Sequence, residues 1–168
     1  GRIKNMLTFI ARLFWEYKRI VGQHIPDAVI ASSTYPLDIY PAHYLAKKYH
    51  AKLVFDVHDI WPLTPMEIGH MSKYHPFIIV MQIAENYMCR HVDKLISIAP
   101  LAEEHYREHG LAEGKFVHVP NGIDISASSE IGGGIAREYI ELIDGLKSRG
   151  KFILGYTGGM AASNALHS

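Results

Sequence analysis

The chain has 168 residues, 48% of them apolar and 20% charged, enough for one domain with a buried core and too few for a two-domain enzyme. Its 17 basic and 17 acidic side chains cancel, so no net field recruits nucleic acid or another highly charged partner. A single cysteine, Cys89, rules out an internal disulfide framework and fits a reducing compartment, and no apolar run approaches the roughly 20 residues of a membrane span.

The first predicted element is a helix over residues 3–21. Ile3, Met6, Leu7, Ile10, Leu13, Phe14, Tyr17, Ile20 and Val21 keep its three-four spacing. Opposite that stripe stand Arg2, Lys4, Arg12, Lys18 and Arg19, with Glu16 the one acid against them and Trp15 in their midst. The stripe is wide enough to pack on a sheet. The basic face with its aromatic also suits an anionic bilayer surface. No signal-peptide pattern precedes this helix, and both ends of the chain are expected to be cut.

Ala28-Val29-Ile30-Ala31, within residues 27–33, is a buried-strand candidate. A helix over 37–49 and a second strand at 52–57 follow. His75-Pro76 opens a helix to about residue 91, 94–98 is a third strand, 101–109 a helix closed by Gly110, and 116–119 a fourth strand. Gly132-Gly133-Gly134 interrupts before a last helix over 136–147, and 152–156 reads as a fifth strand. Short strands apolar on both faces and separated by helices predict an α/β, Rossmann-like fold, a parallel sheet flanked by helices on both sides. No internal repeat or low-complexity stretch interrupts the pattern.

In such sheets ligands sit beyond the carboxyl ends of the strands, where His58 and Asp59 follow the second strand. An imidazole there donates to a ligand hydroxyl or stabilises developing charge; it is equally a capping histidine. Asp59 either orients His58 or binds an acceptor hydroxyl, or simply forms the turn before Ile60-Trp61-Pro62. Trp61, extended because it precedes proline, reads as packing or as a platform for a sugar face. Glu85 lies in an apolar helix among Met81, Ile83, Ala84, Tyr87 and Met88, where a carboxylate needs a partner or a surface. His70 and His75 lack the ligand set of a zinc site and Cys89 has no partner, so no metal is expected. Neither a Gly-x-x-x-x-Gly-Lys loop nor a Gly-x-Gly-x-x-Gly turn occurs, which disfavours ATP and NAD folds of those types.

Three motifs then fall in a fixed order. They are Phe55-Asp56-Val57-His58-Asp59-Ile60-Trp61-Pro62, Pro120-Asn121-Gly122-Ile123-Asp124 directly after a strand, and Phe152-Ile153-Leu154-Gly155-Tyr156-Thr157-Gly158-Gly159. Asn-Gly tolerates positive φ and Pro120 forbids continuation of the strand, so the pentad marks a crossing out of the sheet. The set resembles the interdomain junction of GT-B glycosyltransferases, specifically the retaining family 4, among them transferases of bacterial surface polysaccharides.

That resemblance implies an acceptor-side domain over 1–124, a linker and helix over 125–150, and the first strand and Gly-rich loop of a donor-binding domain over 151–168. It implies a nucleotide diphosphate sugar donor, a lipid-linked or saccharide acceptor, no cofactor, and a cytoplasmic enzyme at the inner face of the membrane. His58 would contact the donor sugar; some relatives carrying the Asp-Ile/Leu-Trp-Pro motif have arginine there. Asp59 would join it in catalysis, and Glu67 and His70 would lie on an acceptor-side loop. Thr157, Gly158 and Gly159 would offer backbone amides to the donor phosphates. The fragment by itself is expected to be inactive. Two alternatives remain open at this point: a nucleotide-sugar epimerase using Glu67, Glu85 or Asp59, and a non-catalytic sugar- or partner-binding module.

Overall fold

A computed structural model describes residues 1–122, 136–156, 158 and 159, with only the backbone of Arg2. It forms two compact units, Gly1–Asn121 and Gly122–Ser168. In the first, four parallel strands lie in the order β1 (Ala28–Ser33), β2 (Lys52–Val57), β3 (Lys94–Ser97) and β4 (Phe116–His118). Parallel neighbours need crossovers, which α2 (Ile39–Tyr49), α4 (Pro76–His91) and α5 (Ala102–Glu108) supply in turn. The register aligns Ser33, Val57, Ser97 and His118 in one row across the carboxyl edge of the sheet. This is the α/β, Rossmann-like arrangement that the alternation of elements predicts.

The core lies on one face. Leu53, Phe55 and Val57 of β2 and Leu95 of β3 are buried against Ile39, Ala42 and Ala46 of α2, Met88 and Cys89 of α4, and Tyr106 of α5. On the other face Val54, Asp56 and Ile96 are half-buried, and Ile30 of the edge strand β1 keeps 61% of its surface. The strands thus bury one face fully and the second only in part.

Helix α1 (Arg2–Val21) also departs from the simple expectation. Of its apolar stripe only Tyr17 is buried, with Met6, Ile10 and Leu13 half-buried, while Ile3, Leu7 and Ile20 stay exposed. The helix leans on the protein along one edge, where Phe14 and Tyr17 each meet the ring of Tyr44 at 5.7 Å, and Met6 and Ile10 meet a small second core of Leu37, Met81 and Ala84.

A short helix, α3 (Leu63–Glu67), occupies part of the stretch that lacks sequence periodicity. Helix α4 begins where expected, because Pro76 suits a first turn and His75 Nδ1 accepts the Phe77 N–H at 3.2 Å. Among the described residues no helix is long and apolar enough to cross a membrane.

The second unit contains helix α6 (Arg137–Ser148). Residues 152–156, expected to be a fifth strand, are not a strand here, and Phe152 and Leu154 are 92% and 88% exposed. A strand exists by hydrogen bonding to a neighbour, and among the described residues of this unit none is present to pair with it.

Candidate active site

The carboxyl ends of β1 and β2 gather a polar cluster. Register places Ser32 beside Asp56, and period-two alternation carries His58, just past the end of β2, to the same face as Asp56. The Ser32 hydroxyl donates to Asp56 Oδ2 at 2.9 Å and lies 2.7 Å from His58 Nε2. Asp56 Oδ2 is itself 3.3 Å from that nitrogen. With the serine proton given to Asp56, Nε2–H of His58 donates to the Ser32 oxygen, an assignment that follows from the network. The ring is therefore held at one nitrogen, and Nδ1 makes no hydrogen bond among the described residues. Neutral, that atom accepts a hydroxyl proton; as imidazolium it donates.

His58 opens onto a cleft of about 330 Å³, lined also by Asp59, Ile60, Thr64, Glu67 and Ala99. Helix α3 forms one wall, and the turn that delivers it is built by Asp59. Its Oδ1 accepts the Ile60 N–H at 3.0 Å and the Thr64 hydroxyl at 2.6 Å, and its Oδ2 accepts the Trp61 indole N–H at 3.2 Å. Both carboxylate oxygens of Asp59 are thus engaged locally, and the carboxylate that orients His58 is Asp56. Trp61 packs edge-on against Phe77 at 5.8 Å, the packing reading of the two considered for it.

Glu67 is exposed at the rim of the cleft and shares it with His58. His70 does not line the cleft; it is exposed, with φ of 50°, in the turn after α3. Gly69 beside it has no room for a side chain, since a Cβ would meet the Pro65 carbonyl oxygen at 2.6 Å. Ser97 is buried and its hydroxyl accepts the Ala99 N–H at 3.1 Å, fixing the loop into α5. Thr157 lies outside the described residues. Gly158 and Gly159 are exposed in the second unit, where the Tyr156 hydroxyl donates to Gly159 O at 3.1 Å.

Glu85 is fully buried and has found its partners. His105 Nε2 lies 2.7 Å from its Oε1, and Gln82 donates to its Oε2 at 2.6 Å. It stands apart from the cleft. Ser32 and Asp56 are the residues that sequence reading passed over. The available signal was the alternation Asp56-Val57-His58, which sets two titratable groups on one face at a strand end.

A parallel sheet with polar side chains converging on a cleft at its carboxyl edge defines the Rossmann-like class of domains that bind sugars and nucleotides at that edge. The family model for Glycosyltransferase Family 4 matches residues 2–127, and the chain belongs to that family. It is therefore a glycosyltransferase-type domain, whose work involves a sugar donor and an acceptor. No curated protein and no solved structure matches the chain significantly.

Proposed function

We propose that the chain is the acceptor-side domain, with the start of the donor-side domain, of a retaining glycosyltransferase. Residues 1–124, 125–150 and 151–168 would be the acceptor-side domain, the linker, and the start of the donor-side domain. The enzyme moves a sugar from a nucleotide diphosphate donor to a lipid-linked saccharide in polysaccharide synthesis at the inner face of the cytoplasmic membrane. The observation that carries this reading is the Ser32–Asp56–His58 cluster, which fixes one ring nitrogen of a histidine that lines the 330 Å³ cleft.

In this scheme His58 Nδ1 bonds a hydroxyl of the donor sugar, most strongly as positive charge develops at the anomeric carbon. Asp56 and Ser32 are positioning residues. Glu67, at the rim, meets the acceptor; the Gly158-Gly159 loop gives backbone amides to the diphosphate. Catalysis is then mainly positioning and electrostatic stabilisation of the leaving diphosphate. The epimerase alternative has less to work with, because Asp59 is consumed by its turn and Glu85 by its histidine partner. The deciding experiment assays the two-domain protein against a panel of nucleotide sugars with a lipid-diphosphate acceptor. Transfer from one donor supports the reading; interconversion of a nucleotide sugar without any acceptor overturns it.

The same reading places α1 on the membrane. Trp15 is 81% exposed, and Lys4, Arg12, Lys18 and Arg19 are exposed with it. Beside them Ile3 and Leu7 join Phe77 and Val80 in an apolar groove of about 440 Å³. At about 1 kcal/mol for each basic group near an anionic surface, changing Arg12, Lys18 and Arg19 together to Gln costs roughly 3 kcal/mol, or about a hundredfold in partitioning. Sedimentation with anionic liposomes should fall accordingly, added salt should mimic the change, and Trp15 fluorescence should shift blue on vesicle binding. Equal sedimentation of wild type and triple variant at low salt would leave this face merely solvated.

A further inference from the structure

We propose that Glu85, His105 and His109 form a binding site for a divalent cation of the zinc class, clamping α4 to α5. His105 of α5 and His109, the residue that follows its last turn, are four residues apart, and their rings lie side by side with centroids 4.3 Å apart. The pair meets the fully buried carboxylate of Glu85 from α4. One ligand atom from each residue falls within a sphere where all lie within 4.8 Å of one another. His105 Nε2 is 2.7 Å from Oε1 and His109 Nε2 is 3.7 Å from Oε2. Metal–ligand bonds of about 2.0–2.1 Å in a tetrahedron put ligand atoms roughly 3.3 Å apart, so small side-chain rotations bring the two imidazoles, each now beside a different oxygen of the carboxylate, to a shared cation.

The hydrogen bonds around the three residues prepare them for this role. His109 Nδ1 lies 2.7 Å from the carbonyl oxygen of His105, and a carbonyl only accepts, so Nδ1 carries the proton. The Nε2 of the neutral ring is then a bare lone pair aimed at a carboxylate oxygen. A lone pair and a carboxylate oxygen so placed can share a divalent cation, which competes there with a proton on Nε2. A ring nitrogen tied to a backbone carbonyl is also the usual support for a metal-bound histidine, because it fixes tautomer and orientation together. Gln82 holds the other flank by donating to Oε2 of Glu85 at 2.6 Å.

The His105 and His109 side chains keep 18% and 24% of their surface, so the site is reached from solvent, from which water can supply a fourth ligand. Two imidazoles and one carboxylate select Zn²⁺, Co²⁺ or Ni²⁺ over Mg²⁺ or Ca²⁺. The nearby Cys89 is not among the groups whose ligand atoms converge here. The cation cross-links two crossover helices and stands outside the His58 cleft, so its role is structural. Among the described residues the second close histidine pair, His43 and His91 at 4.7 Å, has no carboxylate converging on it, and serves as the internal control.

The test uses tag-free full chain stripped with a chelator and then titrated with Zn²⁺ against a chromophoric competitor, and separately with Co²⁺. Expected are one equivalent of Zn²⁺ bound at micromolar or lower Kd, a melting temperature raised by several degrees at a hundredfold excess over Kd, and visible Co²⁺ bands of low coordination number. His109→Ala should weaken binding by at least about a hundredfold and abolish the Co²⁺ bands, while His43→Ala should leave both unchanged. His109→Gln, checked by circular dichroism, repeats the test with the side-chain volume kept. Absence of micromolar binding, binding undiminished in both His109 variants, or binding lost with His43→Ala would each overturn the proposal.

Discussion

Replacing His58 by alanine in the two-domain enzyme should lower kcat by about a hundredfold or more while the affinity for nucleotide stays within about twofold. Removal of one preorganised polar contact aimed at charge that develops in the transition state costs on the order of 10²–10³ in rate. A contact felt mainly in the transition state shows in turnover and not in ground-state binding. The nucleotide itself is gripped, in this scheme, by the donor-side domain. Asp56→Asn should produce a smaller loss, because the carboxylate acts through the ring it holds at 3.3 Å. In the His58→Ala background Asp56→Asn should then cost nothing further, a non-additivity that a merely structural Asp56 would not give. Unchanged turnover in His58→Ala, measured under single-turnover conditions, would reduce His58 to the cap of its strand.

Stability should depend on pH through Asp38, which sits in the tight turn between β1 and α2. Asp38 is 5% exposed, and its Oδ1 has no hydrogen-bond partner among the described residues. Burial raises its pKa from 3.8 to about 6, against a smaller opposing effect of the Ser33 hydroxyl. The folded protein therefore holds this proton more tightly than the unfolded chain does. Its contribution to stability is complete below the unfolded value of 3.8 and is lost as pH rises through about 6. A shift of about two units at 1.36 kcal/mol each gives roughly 3 kcal/mol. Asp38→Asn, neutral at every pH, should be the more stable protein above about pH 6, by up to ~3 kcal/mol, with the gap closing toward pH 4. Urea unfolding of both proteins across that range reads the difference directly; a gap independent of pH would mean that Asp38 does not carry a buried charge at neutral pH.

What the sequence by itself determined is whatever lives within one segment. The alternation of apolar strands with helices was enough for the parallel sheet, because each short run needs only its own composition and the turn residues around it. His58 was legible as the residue just past a strand end, and Pro76 as a helix start, for the same reason. The motifs Phe55 to Pro62 and Pro120 to Asp124 were legible as a family signature, and the family match covers the first of them and the second entirely.

Only the tertiary structure decided which side chains meet. Ser32 reaches Asp56 and His58 because β1 pairs with β2 in one register; a slip by a single residue would turn Ser32 to the opposite face. Glu85 was visible as a carboxylate in need of a partner, but His105, twenty residues away, became that partner through the packing of α4 on α5. The amphipathic pattern of α1 set which face is apolar, not how much of it the protein covers, and Ile3, Leu7 and Ile20 stay outside. The stretch 152–156 has a strand's composition and, among the described residues, no strand's pairing, since pairing is a property of two segments and composition of one.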